Sequence, residues 1–185
     1  MAEYYLVSQL PSLDGLGKNT PLPINEERFS ELCGRHLGKK AQQEIDRLTV
    51  VPSITPEKTS SALLDAWYEG ERNLRLALGK VRADKLNKSF DLQNKSLPAE
   101  LIRTATEAAN AENPLEAENL LLDYRLNFLE SLRPLDTFCK DFVFYYGLKL
   151  KLLMRMQQFD SALGETAYKD IYNSIINGDR TEATK

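Results

Sequence analysis

"DFVFYYGLKLKLLMRMQQF" (Asp141–Phe159) places apolar side chains on nearly every side of a helix: Phe142, Val143, Phe144, Tyr145, Tyr146, Leu148, Leu150, Leu152, Leu153, Met154 and Met156. A helix with so little polar face is central, covered by other elements on several sides. Lys140, Asp141, Lys149 and Lys151 exclude lipid as the cover, so the cover is protein. The spacing predicts this helix over about Asp136 to Phe159, with Phe138 and Cys139 on its apolar face. No strand alternation of useful length follows residue 10. The expectation is an all-α fold, an irregular bundle of about six to seven helices. Tyr4–Leu10 is short enough to be either a strand or a first helical turn.

The covering helices can be read outward from it. "NPLEAENLLLDYRLNFLESL" (Asn113–Leu132) opens with Asn113 as cap, Pro114 in the first turn and Glu116 at the third position, a capping-box arrangement. A shorter helix covers Ala99–Ala111. Upstream, Thr55-Pro56 is expected to start a long helix with Leu63, Trp67, Gly70, Leu74, Ala77 or Leu78, and Val81 on its apolar face. Asn25 caps a helix through "EERFSEL", with Glu26 and Glu27 at the positive end of its dipole. A second helix follows, with Leu37, Ala41, Ile45 and Leu48 on one face. A last helix over about Glu165–Ile176 leads to a polar tail. The domain reading is one helical domain over residues 1–177, with 1–95 and 96–177 as candidate sub-units, and a tail over 178–185.

Two glycines interrupt these helices. "WYEGER" (Trp67–Arg72) and "FYYGLK" (Phe144–Lys149) share one order: aromatic, Tyr, any residue, Gly, any residue, base. Glycine inside a helix costs about 1 kcal/mol relative to alanine. The return is closeness, because another helix or ring can sit directly on a backbone without a Cβ. Trp67, Gly70, Tyr145 and Gly147 therefore read as a helix-crossing device, with Arg72 and Lys149 snorkelling to solvent.

Composition narrows function. The 185-residue chain has formal net charge -3, 42% hydrophobic and 28% charged residues, and a pI near 5.4. That balance fits a soluble globular protein and argues against general nucleic-acid binding, which needs a basic field. "MAEYYLVSQLPSL" has an acid at Glu3, no basic n-region and an apolar run too short for a signal peptide. No window approaches the roughly 18 apolar residues of a membrane span. Cys33 and Cys139 read as two buried thiols of a reducing cytoplasm rather than a disulfide.

Catalytic chemistry has little to work with. His36 is the one histidine, and its partner at ligand spacing, Cys33, lacks the second pair that structural zinc requires. No phosphate-cradling loop, nucleophile elbow or Ser/His/Asp set is present. Glu69 and Glu71, two apart, point away from each other on a helix. The expectation is no catalytic residue, no cofactor and no metal.

Charge is distributed unevenly. Between Glu71 and Lys95 seven bases (Arg72, Arg75, Lys80, Arg82, Lys85, Lys88, Lys95) face three acids, and between Ala99 and Asp136 eight acids face three arginines. Either the two segments pack together and exchange weak surface ion pairs, or the basic face docks an acidic partner, steered by its field. Arg72, Arg75, Lys80, Arg82 and Lys85 are the docking candidates.

The order "EYYLVSQLPSL", "ERFSELC", "WYEGERNLRLALGKVRADKL" and "FYYGLKLKLLMRMQQFD" with a later Gly resembles a bacterial family whose genes lie among those of V/A-type ATPases. The resemblance covers roughly Glu3 to Gly164. "ERNLRLALGKVRA" and "YGLKLKLLMR" also resemble helices of the C subunit of those ATPases, the all-helical socket between central stalk and rotor ring. That subunit is longer. The resemblance implies a non-catalytic subunit or connector of a rotary ATPase in proton or sodium transport, cytoplasmic and peripheral to the membrane, with protein subunits as partners. The alternative is a free-standing helical adaptor or assembly chaperone.

Overall fold

The computed structural model describes residues 2–18, 20–92, 95–158, 164–166 and 168–174. Seven helices order the described chain: α1 (Ala2–Val7), α2 (Glu26–His36), α3 (Lys39–Asp46), α4 (Ala62–Lys85), α5 (Ala99–Asn110), α6 (Pro114–Ser131) and α7 (Lys140–Gln158). Residues 164–166 and 168–174 are also helical, and no strand occurs among the described residues. The fold is all-α. Phe159, the end of the last predicted helix at 175–176, and the tail over 178–185 lie outside the described residues.

α7 is central. It packs against α1, α2, α3, α4 and α6, whereas α5 packs on α4 and α6. Nine of its residues are buried, from Val143 to Leu153, which is why its sequence has almost no polar face. Buried apolar side chains form two clusters. The larger gathers α7 with Leu6, Phe29, Leu32, Cys33, Trp67, Leu122 and Leu129. The smaller gathers Leu74, Ala77 and Leu78 of α4 with Leu101, Ala105 and Ala108 of α5 and Leu121 of α6. α4 and α6 contribute to both.

Caps set several boundaries. Asn25 accepts the Arg28 N–H at 2.9 Å and Asn113 the Glu116 N–H at 2.8 Å. Glu116 reaches back to the Glu112 N–H at 3.3 Å, one residue before the cap itself. α4 closes at Asn87, whose φ of 52° lets the Lys88 N–H bond to Ala83 O and its own N–H to Asp84 O.

Of the two readings open for Tyr4–Leu10 the helical turn is the one found: its backbone groups are satisfied within the turn, as in Ser8 N–H to Tyr4 O. Two boundaries differ from the sequence reading. α4 starts at Ala62, not at Thr55-Pro56, because Ser61 caps it through the Leu64 N–H at 3.2 Å. The preceding residues are held out of the helix, with Thr59 N–H on Asp65 at 2.8 Å and Ser60 N–H on Glu44 at 3.0 Å. α7 starts at Lys140, not Asp136, since the Asp136 carboxylate accepts the Phe138 N–H at 2.9 Å and fixes a turn there. Phe138 is consequently exposed and Cys139 only half-buried, off the helix. Cys33 is buried and its thiol is pushed up to about 12, by burial first and then by Asp46. Both cysteines are free.

Gly70 lies in α4 with the Phe128 ring of α6 against it: a Cβ there would stand 2.2 Å from that ring. Gly147 lies in α7, where a Cβ would stand 2.7 Å from Leu48 and 3.0 Å from Phe29. A third close approach, absent from the sequence reading, seats Phe90 on Gly79, with 2.7 Å between ring and Cβ position. The Phe128 ring has little freedom to retreat, because it stacks between Trp67 and Tyr124 at centroid distances of 5.9 and 6.3 Å. Gly70→Ala should therefore destabilise by about 1–2 kcal/mol in denaturant unfolding, overpacking outweighing the roughly 1 kcal/mol of helix propensity gained. A stabilised variant would show that Phe128 moves aside freely.

Candidate functional site

The basic stretch is built on one buried acid. Glu71 projects from α4 into the α4–α6 contact, where Arg125 meets it with two parallel bonds, Nε to Oε2 and Nη2 to Oε1, each 2.9 Å. Both residues are buried. Burial is the largest single influence and disfavours the Arg125 charge, yet its bonds to Glu71 and the negative charges of Glu71 and Glu118 together hold the guanidinium above its ordinary pKa. Glu118 stands 3.9 Å from Arg125 Nη1 and 2.7 Å from Arg155 of α7, extending the network across three helices. The sequence carried a signal for this pair. Glu71 lies four residues after Trp67 and three before Leu74, and Arg125 three after Leu122 and four before Leu129, so both fall on buried stripes.

The five docking candidates separate by what they touch. Arg75 turns inward: its Nη1 donates to Pro52 O at 3.1 Å and its Nε stands 3.6 Å from Glu71. Lys80 pairs with Asp84 on its own helix at 3.0 Å. Lys85 donates to the Ala109 carbonyl near the end of α5. Arg72 and Arg82 are tied to no carboxylate among the described residues, Arg82 being exposed and Arg72 half-buried. Apart from Glu71–Arg125, no ion pair joins the basic stretch to the acidic one among the described residues. Three acids of the latter, Glu107, Glu118 and Glu130, pair instead with α7 or with arginines of their own segment.

Arg72 faces a cavity of about 330 Å³ enclosed by the end of α3, the loop over residues 47–61 and α4. The loop is tied down on two sides. Arg75 holds Pro52, while Glu44 of α3 takes the N–H and Oγ of Ser60 and the Lys140 ammonium at 2.9 Å. Arg47, Lys58 and Arg72 bring positive charge to its wall, and Leu64, Pro52 and Tyr68 supply apolar surface. Burial raises the Tyr68 pKa despite an opposing backbone bond from Thr49.

Tyr145, the other aromatic of the crossing motifs, belongs to a different network. Its hydroxyl donates to Glu130, while Lys149 bonds Asp14 at 2.6 Å and Tyr145 Oη at 3.2 Å. Arg133 closes the ring on Glu130 at 2.9 Å. The bond from Lys149 holds Asp14 below its ordinary pKa. Glu130 is raised by burial but lowered more by its bonds from Tyr145 and Arg133. This joins the loop after α1, the end of α6 and α7, and leaves Lys149 no charge to offer a partner.

No group of His, Cys, Asp and Glu suited to holding a metal ion, and no helix long and apolar enough to cross a membrane, occurs among the described residues. Neither family models, nor characterised proteins, nor solved structures match the chain.

Two outcomes follow. Glu71→Leu alone should cost about 3–5 kcal/mol by leaving Arg125 buried with only the distant Glu118 at 3.9 Å, whereas Glu71→Leu with Arg125→Met should cost less than the sum of the two single changes. Additive losses in chemical unfolding would show that the charges do not act as a pair. Because the folded pKa values of Asp14 and Glu130 are depressed, their contribution is complete above the ordinary carboxylate range and lost as pH falls through the folded values. Stability should thus drop from about pH 5 to about pH 3, and Lys149→Met should shrink that drop. An identical acid profile for the variant would remove Lys149 as the cause.

Proposed function

We propose that the protein is a non-catalytic helical subunit or connector of a V/A-type rotary ATPase, at the cytoplasmic face of the membrane, docking an acidic component of that complex through α4. The family resemblance supplies the complex. The observation that carries docking is that the basic stretch of α4 is left uncompensated by the acidic stretch of the same chain, apart from one buried pair that is itself reversed in sign. No acid of that stretch pairs with Arg72 or Arg82 among the described residues, so their field is left to steer association.

The segments that carry the resemblance also support one body. Leu6 and Leu13 from "EYYLVSQLPSL" are buried in the α7 cluster, and Tyr146 of "FYYGLK" donates to Pro11 O at 2.9 Å.

The test is purification of the native ATPase through a different subunit. The protein should remain with the intact complex at low salt and be released as salt rises. Arg72→Glu with Arg82→Glu should weaken retention most at low salt while leaving thermal unfolding nearly unchanged. Migration wholly apart from the ATPase would overturn the proposal. Retention of the reversed variant at both salts would remove these two arginines from the interface.

A further inference from the structure

The cavity beside Arg72 has a chemistry that names its occupant more closely. Three cations, Arg47, Lys58 and Arg72, contribute to its lining against two acids, Glu44 and Glu57. Glu44 is spent on Ser60 and Lys140, which leaves Glu57 alone against three positive charges. Arg72 is half-buried and tied to no carboxylate among the described residues. A half-buried guanidinium is less screened than one in open water, so a carboxylate reaching it gains a charge-assisted bond of the stronger kind.

The rest of the cavity selects against a bare ion. Leu64, Pro52 and Tyr68 are apolar surface, and Val51 and Ile54, which flank the lining residues Pro52 and Ser53 at its lip without lining it themselves, are exposed, the latter at 92%. Glu57 in the lining disfavours a doubly charged phosphate. About 330 Å³ lies at the small end of ligand cavities and is room for one or two side chains. The loop is already pinned at Pro52 by Arg75 and at Ser60 by Glu44, so little ordering is required on binding.

We propose that this cavity is a docking pocket for an acidic segment of a partner protein, one that places a carboxylate on Arg72 and an adjacent apolar side chain on the Val51–Ile54 lip. The inference rests on the docking reading above and names the chemistry of what docks. Arg72 is the contact residue. Arg75 positions the loop and touches no ligand. Arg82, ten residues further along α4 and outside the pocket, takes no part.

The experiment follows the arginine Nε–Hε signals of the full chain by NMR during titration with the peptide acetyl-Leu-Glu-Leu-Glu-Leu-amide, and separately with sodium phosphate. The expected result is a saturable shift at Arg72 and Arg47 with peptide and none at Arg82. Affinity should fall about tenfold in Arg72→Gln, and in Lys58→Gln as a second, loop-based variant. Equal shifts at Arg82, the same saturation with phosphate alone, or no saturation by millimolar peptide would each overturn the pocket. The two proposals fail separately. Peptide binding by a protein that never accompanies the ATPase removes the complex but keeps the pocket. An Arg72→Gln protein that stays with the ATPase undiminished removes the pocket but keeps the complex.

Discussion

A carboxylate and a guanidinium taken out of water between α4 and α6 set the arrangement of everything around them. Either charge alone would be costly at that depth, whereas two parallel 2.9 Å bonds make the pair tolerable and fix both distance and rotation of the helices. The pair is also a branch point. Through Arg75, which shares Glu71, it reaches Pro52 and so the loop over α4. Through Glu118 it reaches Arg155 on the central helix. Core register and surface shape are therefore governed from the same buried acid.

Much of the fold was legible because it follows from local rules. An all-apolar α7 demands neighbours on several sides, and asparagine caps announce α2 and α6. The glycines on α4 and α7 announce close approach. What was not legible depends on distant partners. Thr55-Pro56 carries every local mark of a helix start, yet Glu44 and Asp65 hold the following residues out of a helix, and neither is visible to a reading of residues 55–61. Phe138 and Cys139 continue the periodicity of α7, but the Asp136 side chain captures a backbone N–H and stops the helix short.

The candidate surface was legible as a count of charges and not as a set of contacts. Spacing placed five bases outside the apolar face of α4, and that much says nothing of which find acceptors. Arg75 and Lys85 end on backbone carbonyls contributed by other segments, Pro52 and Ala109. The two-residue separation of Glu71 from Glu69 says nothing of whether either acid is buried. The position of Glu71 relative to Trp67 and Leu74, four after and three before, was the better guide. An acid on a buried stripe of one helix and an arginine on a buried stripe of another are together a signal for a buried pair.

The two matching motifs make the last distinction. Trp67–Arg72 and Phe144–Lys149 use their glycines alike, each receiving a side chain from another element where a Cβ would collide. Their bases part company. Lys149, two residues after Gly147, is drawn onto Asp14 and Tyr145 and is used up inside the chain. Arg72, two residues after Gly70, occupies the equivalent place but lines a cavity where no carboxylate among the described residues pairs with it. The same local design thus yields one base that closes a loop onto the core and one whose charge is left for something else. Helix register sets the difference: Glu71 faces Arg125 of α6, and Arg72, one residue further round α4, lies beside the loop cavity instead.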